Sequence, residues 1–423
     1  MQSPISTKTE LILANVGTFG DAHPFIAIGH AMLARGHKVS MFSNLEHRAA
    51  IESAGITFIE TNAEIDYAGG IGNANFWHPI KGFGVYWRSM LVPSIIPLFQ
   101  HLQQLKHMGK AVHVIAGPFM LGARLAQMHL GTQLTSVYTA PSMLRTLIAP
   151  VCIAHTHWPR YTPRFVLRAV WMLLDRFKLE PMARKKLNEI CTQLELPIPP
   201  AVSIFDQWIH SPSGLALFPE WFAPHKADYP KGMLYAHFPR YQLDASANLK
   251  SVISEFLVQG SPPIVITMGT GMLHASQQFL VLHAALRQTT IRAIFLSKQP
   301  SQLPDQVGDA GQFFYCDYAP FSLLLPHCAG IVHHGGIGTI AQALAAGIPQ
   351  LIQSQGHDQF ENARCITALG VGQRLSREAQ QAEILLALRH WINNPQHQTA
   401  LLKAKTLTQS ASLDALCDAL EKQ

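Results

Sequence analysis

The sequence predicts an α/β protein with two Rossmann-like domains that face a central cleft. Apolar strands alternate with amphipathic helices over the first 60 residues and again from residue 262, and an irregular, proline-rich middle (141–235) lies between. Short strands separated by helices imply a parallel sheet covered on both faces. We assign 1–235 to the first domain, 236–395 to the second, and 396–423 to C-terminal helices expected to pack back on the first.

The elements follow in order along the chain. In the first domain the strand ELILANVG is followed by a helix from His23 to Gly36, the strand HKVSMFSN, a helix ending at Gly55, and the strands ITFIE, AVHVIAGP and TQLTSVYTA. In the second domain the strands are PPIVITMGTG, IRAIFLS, GQFFYCD, CAGIV and PQLIQS. The segment TIAQALAAG is a helix that stops at Gly347, because glycine commonly terminates helices. Residues 380–423 are predicted to be helical.

Composition limits the function classes. A hydrophobic content of 48% with 14% charged residues argues against long disorder. Six scattered cysteines without a CxxC pair indicate a reducing compartment, so we expect a cytoplasmic protein. No apolar run approaches the roughly 20 residues that span a bilayer.

The basic residues are concentrated in one stretch. Arg145–Glu189 carries nine basic residues against three acidic ones, within a net charge of +6. Such a patch fits an anionic lipid or an acidic substrate, and no nucleic-acid signature accompanies it, so no nucleic-acid partner is expected. Apolar aromatic stretches at 76–98 and 164–177 are candidate walls of an apolar pocket, or ordinary core.

The stretch VHHGGIGT (332–339) is a strand-to-helix turn. The free amides at a helix N-terminus attract an anion, and glycine lets a phosphate approach the backbone. Thr270, in the loop after the strand IVITM, either closes over the same phosphate or belongs to an ordinary turn. A dinucleotide dehydrogenase is disfavoured, because the first loop GTFGDAHP lacks G-x-G-x-x-G and the second strand ends Phe42-Ser43-Asn44 without an acidic residue.

The ordered motifs resemble those of the family-1 glycosyltransferases with the GT-B fold. The resemblance rests on Asp317–Gln359, which holds an aromatic-x-Pro stretch, HHGGxGT and a terminal Asp-Gln in that order, and on the opening GTFGDAHPFIAIGHAMLARGH. Among family members the sequence is most similar to bacterial rhamnolipid-type rhamnosyltransferases and to macrolide and sterol glycosyltransferases. The resemblance implies a nucleotide-sugar donor held by the second domain and an acceptor held by the first.

The resemblance also implies residue roles. His334, rather than His333, matches the phosphate-contacting histidine, and Tyr318 matches the position against which the nucleobase lies. Asp358 and Gln359 match the pair that hydrogen-bonds the donor sugar. The donor-binding set is completed by residues of the phosphate turn, Gly336, Gly338 and Thr339.

Asp21 is the candidate general base. It follows the first strand, where catalytic groups of open parallel sheets commonly lie, and by resemblance it occupies the position of the family's Asp or His. Two alternatives stay open: Asp21 could cap a helix that starts near His23-Pro24, or His23 could be the base.

The expected activity is inverting, metal-independent glycosyl transfer from a dTDP- or UDP-sugar, first of all dTDP-L-rhamnose, to a hydroxyl of a hydrophobic, lipid-like acceptor. No cofactor or metal is expected, since His155-x-His157 and His333-His334 would each need further ligands. The alternatives are glucosylation of a polyketide, flavonoid or sterol, and a non-catalytic nucleotide-sugar or lipid-binding protein. We further expect peripheral contact with the inner membrane face.

Overall fold

A computed structural model describes residues 9–149, 151–152, 162–198, 213–239, 248–305, 311–392, 394–410 and 412–422. The chain divides into two compact units: Met1–Phe76, Ile80–Tyr241 and Ser412–Gln423 form the first, and Trp77–Pro79 and Gln242–Ala411 form the second.

The first unit is built on a seven-stranded parallel sheet of order β3-β2-β1-β4-β5-β6-β7. Its strands are β1 Glu10–Ala14, β2 Lys38–Phe42, β3 Thr57–Phe58, β4 Val112–Ala116, β5 Gln133–Tyr138, β6 Ser213–Ala216 and β7 Gly232–Tyr235. The middle of the chain, predicted only as irregular, therefore contributes the last two strands of this sheet.

Within the described ranges, eight α-helices precede β6, and one further helix of this unit comes from the end of the chain. The eight are α1 Phe19–Ala34, α2 Arg48–Ser53, α3 Tyr67–Gly72, α4 Gly82–Tyr86, α5 Val92–His107, α6 Leu121–Leu130, α7 Arg164–Leu174 and α8 Glu180–Gln193. Two π-helical segments, Trp87–Leu91 and Asp175–Leu179, join α4 to α5 and α7 to α8.

The second unit has a six-stranded parallel sheet of order β10-β9-β8-β11-β12-β13. Its strands are β8 Ile264–Thr267, β9 Ala293–Leu296, β10 Phe313–Cys316, β11 Gly330–His333, β12 Gln350–Ile352 and β13 Gly372–Arg374. Its helices are α9 Ser251–Val258, α10 Ser276–Leu286, α11 Phe321–Leu324, α12 Ile337–Ala346, α13 Gln359–Ala368, α14 Gln381–Trp391 and α15 Pro395–Gln409. Both sheets confirm the predicted α/β class.

Helix α16 (Leu413–Glu421) returns to the first unit, whereas α15 packs against α12 of the second. Leu416, Cys417 and Leu420 join the apolar core around α1. Arg35, at the end of α1, pairs with three carboxylates of α16 at 2.6–3.2 Å, those of Asp414, Asp418 and Glu421. Apolar burial and a multiple ion pair therefore hold α16 on α1.

Helix α1 begins earlier than predicted. The predicted helix starts at His23, but Phe19 is its first residue and Pro24 lies inside it. The start is fixed by a capping box in which Thr18 is the N-cap and Asp21 the third helical residue. Asp21 consequently lies in the first turn of α1.

Candidate functional site

Several predicted site residues, among them Asp21, Thr270 and His334, lie after the strands at which each sheet reverses its order. In the first unit the reversal lies between β1 and β4, and in the second between β8 and β11. Loops at the carboxyl ends of strands beside such a point form the usual ligand crevice of an open parallel sheet. Asp21 follows β1, Thr270 follows β8, and the VHHGGIGT turn follows β11. Topology therefore gives each unit one candidate site.

Asp21 has one carboxylate oxygen committed to its own helix. Its Oδ2 accepts hydrogen bonds from the Thr18 backbone amide and the Thr18 hydroxyl, both at 2.8 Å. Burial raises the pKa of the Asp21 carboxyl, and the two bonds from Thr18 partly oppose that rise. Oδ1 accepts no hydrogen bond from another described residue. The side chain thus caps α1 and leaves one oxygen for a proton donor.

The loop that carries Asp21 is held by two asparagines. The Asn44 side chain accepts from the Gly17 amide at 3.1 Å and donates to the Gly17 carbonyl at 2.8 Å. Asn15 donates from Nδ2 to the Asp21 carbonyl at 2.7 Å. Gly17 has a φ of +142°, and an added Cβ would lie 2.7 Å from Asp21 Oδ2, so the close approach requires glycine. The carboxylate therefore sits on a rigid support.

His47 lies near this loop, packed edge-on against Phe19 at 4.7 Å between ring centroids. The Ser43 hydroxyl donates its only proton to the Asn15 carbonyl at 2.8 Å, so its 2.9 Å contact with His47 must receive the proton from Nδ1. Burial, and then the nearby His23, lowers the pKa of His47 to about 3. His47 is therefore a neutral imidazole, while His23, in α1 two residues after Asp21, is half-buried.

In the second unit the two adjacent histidines differ in their surroundings. His333 is fully buried; its Nε2 lies 3.0 Å from Gln350 Oε1, and its Nδ1 accepts from the Gly335 amide at 3.1 Å. Both ring nitrogens of His333 are thus used inside the fold. Neither ring nitrogen of His334 is hydrogen-bonded to another described residue, and its Nδ1 is buried without a partner. His334 is the histidine left for a ligand.

The His334 ring fits between two glycines. A Cβ added at Gly269 would lie 2.6 Å from the ring and one at Gly336 would lie 2.5 Å from Nε2, so both positions need glycine. Gly269 also has a φ of +83°. Burial lowers the pKa of His334 to about 4, so the imidazole is neutral and has one N–H to donate. The loop after β8 and the turn after β11 therefore meet at this ring.

Helix α12 begins at the turn. Gly336 is its N-cap and supplies no side chain, so the amides of the first turn, including those of Gly338 and Thr339, lack a side-chain cap. An added Cβ at Gly338 would meet nothing within 4 Å, which leaves open space above the helix start. The helix ends at Gly347 with a φ of +74°, which confirms the predicted stop. A buried neutral N–H donor beside bare helix amides suits a phosphate.

Asp358 and Gln359 are adjacent but make different hydrogen bonds. Asp358 is half-buried before α13, and its Oδ2 accepts from Asn362 Nδ2 at 2.6 Å. The Gln359 side chain is buried, and its Oε1 accepts the amides of Gln355 and Gly356 at 2.7 and 3.1 Å. The Gln359 oxygen therefore stabilises its own loop, and only its amide nitrogen could serve a sugar hydroxyl.

Asn362 was not among the residues predicted from the sequence. It is fully buried, and its Nδ2 donates both to Asp358 and to the Gly335 carbonyl, at 2.6 and 3.0 Å. One side chain thus joins the turn after β11 to the loop that carries Asp358. Thr270 and Tyr318 are exposed, and neither hydrogen-bonds to another described residue through its side chain.

Trp77 belongs to the second unit, although the stretch 76–98 was predicted to lie in the first domain. Its indole N–H donates to the Gly271 carbonyl at 3.1 Å, and its ring lies 5.3 Å from that of His357. Nothing in the local sequence signals this placement.

Within the described ranges, no group of three or more His, Cys, Asp or Glu side chains could hold a metal ion. His155 and His157 lie outside those ranges. Every helix in the described part of the chain is too short or too polar to span a bilayer.

Two family models match the chain, and together they span more than half of it. Residues 11–129 match the glycosyltransferase family 28 N-terminal domain, and residues 296–412 match the erythromycin biosynthesis protein CIII-like C-terminal domain.

Individual relatives extend over most of the chain. An O-mycaminosyltylonolide 6-deoxyallosyltransferase of Streptomyces fradiae is 25% identical over 89% of this chain and 89% of its own length. A sterol 3-beta-glucosyltransferase of Arabidopsis thaliana is 24% identical over 98% of this chain and 68% of its own length.

Solved structures share the fold at lower identity. The glycotransferase of kitacinnamycin superposes with a TM-score of 0.72 at 15% identity, covering 97% of this chain and 99% of its own. A spinosyn rhamnosyltransferase complexed with thymidine diphosphate gives a TM-score of 0.66 at 18% identity, over 98% and 100%. The family models and the relatives set aside the dehydrogenase and the non-catalytic binding protein. The protein is an enzyme, a family-1 glycosyltransferase of the GT-B fold.

Proposed function

We propose that the enzyme transfers a sugar with inversion from a dTDP- or UDP-sugar, first of all dTDP-L-rhamnose, to a hydroxyl of a hydrophobic, lipid-like acceptor. Binding of the nucleotide-sugar donor is supported by one observation in the described part of the second unit. The His334 ring has no hydrogen-bond partner there and lies between Gly269 and Gly336, beside the uncapped start of α12. A neutral N–H and helix amides bind a diphosphate by hydrogen bonding and by the helix dipole.

The proposed chemistry is a single displacement. The acceptor hydroxyl gives its proton to Asp21 while its oxygen bonds to the anomeric carbon, and the bond from that carbon to the diphosphate breaks. The electron pair of that bond goes to the diphosphate, where His334 and the α12 amides stabilise the growing charge. One displacement at the anomeric carbon inverts its configuration. The raised pKa of Asp21 suits a group that must take a proton from an alcohol.

These residues supply proton transfer and charge stabilisation without a bound cation, so we propose that no metal or other cofactor takes part. Gly336, Gly338 and Thr339 would bind phosphate through backbone and hydroxyl groups. Tyr318 would contact the nucleobase, and Asp358 and the Gln359 amide nitrogen would bind sugar hydroxyls. Thr270 would close the loop after β8 over the same diphosphate.

The first-choice sugar is supported by the thymidine diphosphate named with the spinosyn rhamnosyltransferase. The alternative, glucosylation of a sterol, polyketide or flavonoid, is favoured by the sterol 3-beta-glucosyltransferase that matches 98% of this chain. We also propose a cytoplasmic location, since all six cysteines are free, with peripheral contact at the inner membrane face.

A thermal-shift panel with dTDP-L-rhamnose, UDP-glucose, dTDP, UDP and NAD tests the donor half. A ligand at about 100 times its dissociation constant that binds only the folded state adds roughly 2.7 kcal/mol, enough to move a melting curve. A selective shift with dTDP-L-rhamnose supports the first choice, and one with UDP-glucose supports the alternative. A shift with NAD alone, or none at all, refutes the phosphate site.

A further inference from the structure

Helix α7 and the π-helical segment after it carry large apolar side chains on their outer side. Leu167 and Trp171 are buried, so that side of α7 faces the first unit's interior. Four apolar side chains stand out at exposed fractions of 75, 61, 50 and 67%: Phe165, Met172, Leu173 and Phe177. An outward helix face is ordinarily polar, and a cluster of exposed apolar side chains marks an interaction surface.

The charges of the same stretch separate into paired and unpaired groups. Each acidic residue of 145–189 has a basic partner: Asp175 with Arg145 at 2.8 Å, Glu180 with Arg184 at 2.8 Å, and Glu189 with Lys186 at 3.2 Å. The exposed cations left without an ion pair among the described residues include Arg164, Arg168, Arg176 and Lys178. All four lie in the segment that exposes the apolar side chains.

Spacing places the two kinds of side chain together. Phe165, Arg168 and Met172 stand at i, i+3 and i+7, which is one side of an α-helix. Arg176 and Phe177 continue the exposed surface into the π-helical segment. A helix that lies in a membrane interface shows this pattern. Its aromatic rings enter the headgroup boundary, and its arginines contact lipid phosphates.

We propose that this surface, the α7 face (Phe165, Arg168, Met172, Leu173, Arg176 and Phe177), docks the enzyme on an anionic lipid bilayer. The unpaired positive charge selects an anionic surface, and the exposed phenylalanines provide the apolar contact. This surface would make the peripheral membrane contact proposed above, and only its role in the cell rests on that proposal. Vesicle binding itself needs neither donor nor acceptor.

The test is flotation of the full-length protein with vesicles of phosphatidylcholine alone or mixed with an equimolar share of phosphatidylglycerol. Wild type should float with the mixed vesicles and lose binding in high salt. Each lysine or arginine near such a surface is worth about fivefold in partitioning, so Arg168→Gln with Arg176→Gln should weaken binding by more than about tenfold. Phe165→Ser with Phe177→Ser should weaken binding at low salt as well.

The matched control is Leu386→Ser with Arg389→Gln, which removes an exposed apolar and an exposed basic side chain from α14 of the second unit. The control should bind like wild type, and melting curves check that every variant folds. Equal binding to neutral vesicles, no binding by wild type, or unchanged binding by both α7 variants would overturn the proposal. The proposal would also be overturned if Phe165→Ser with Phe177→Ser dissociated an oligomer of the protein and left vesicle binding unchanged.

The two proposals fail separately. If nucleotide sugars do not bind but wild type floats with anionic vesicles, the donor proposal fails and the α7 face stands. If flotation fails while a donor shifts the melting curve, the lipid surface is wrong and glycosyl transfer is unaffected.

Discussion

Replacing Asp21 with asparagine separates the two roles of this side chain. In the structure Oδ2 accepts two hydrogen bonds from Thr18, and the proposed reaction needs the carboxylate to accept a proton. Asparagine has nearly the same shape, and its amide oxygen can accept both bonds from Thr18. It cannot take the proton of an alcohol. Capping should therefore survive in Asp21→Asn while catalysis fails.

The expected sizes differ between activity and stability. Loss of a general base costs about 10²–10⁴-fold in rate, which is about 3–5 kcal/mol of activation free energy. Asp21→Ala should lose the same activity and be about 1 kcal/mol less stable than Asp21→Asn, because the amide and hydroxyl of Thr18 then lose their acceptor. Asparagine keeps that acceptor, so the difference between the two variants measures the cap alone.

The raised pKa of Asp21 determines whether Asp21→Asn is more or less stable than wild type. A carboxyl whose pKa is raised in the folded state above 3.8 binds protons more tightly there than in the unfolded chain, so stability falls as pH rises through that window. Above the pKa of the unfolded chain, the buried carboxyl therefore costs stability that asparagine does not. Asp21→Asn should melt at or above the wild-type temperature.

Activity is measured as release of nucleoside diphosphate in the presence of a hydrophobic acceptor. Calorimetry gives the affinity for the donor, and a melting curve gives the stability of each variant. The role of Asp21 as general base is refuted if Asp21→Asn keeps kcat within about tenfold of wild type with a similar donor affinity, given the loss expected for a general base. The expectation that asparagine keeps the cap is refuted if it destabilises the fold as much as alanine. In the first case His23→Ala becomes the next variant to measure.

His334→Ala should weaken donor binding by about 10–100-fold with little change in Tm, because it removes one hydrogen bond to a charged group, whereas His333→Ala should chiefly lower Tm; equal Tm losses would contradict this. Thr18→Val removes the hydroxyl that donates to Asp21 and lowers its pKa, so the acid limb of the kcat–pH profile should move to higher pH. Thr18→Ser should return that limb to its wild-type position. Burial lowers the pKa of four histidines to about 3 or 4, those of His47, His113, His333 and His334. Since the unfolded chain protonates these groups first, stability should fall below pH ~6.5 by up to about 1.4 kcal/mol per pH unit for each, and a urea midpoint that stays constant down to pH ~4.5 would refute this. Transfer should persist in excess chelator, and activity restored only by added metal would overturn the metal-free mechanism.

Much of the second unit could be predicted because its signals are local. The end of α12 at Gly347 follows from one glycine with positive φ, and the parallel strands follow from short apolar runs. The predicted start of α1 at His23 was wrong, because the Thr18–Asp21 spacing is a capping-box signature that starts the helix at Phe19.

Roles that depend on distant partners could not be read from spacing. The sequence pairs Asp358 with Gln359, but the Gln359 oxygen binds backbone amides four and three residues before it. Asn362 acquires its position between two loops only because the start of α13 lies beside the turn after β11. Which adjacent histidine stays available to a ligand likewise depends on Gln350, seventeen residues further along than His333.

The return of α16 to the first unit has a consequence for the order of folding during synthesis. The ribosome makes the entire second unit between β7 and α16, apart from Trp77–Pro79, yet Leu416 and Leu420 belong to the core around α1. While the second unit emerges, that apolar surface of the first stays uncovered, and domains otherwise tend to fold in N-terminal order. The first unit should therefore complete its folding after the second, with a nascent apolar patch that chaperones would recognise in the meantime.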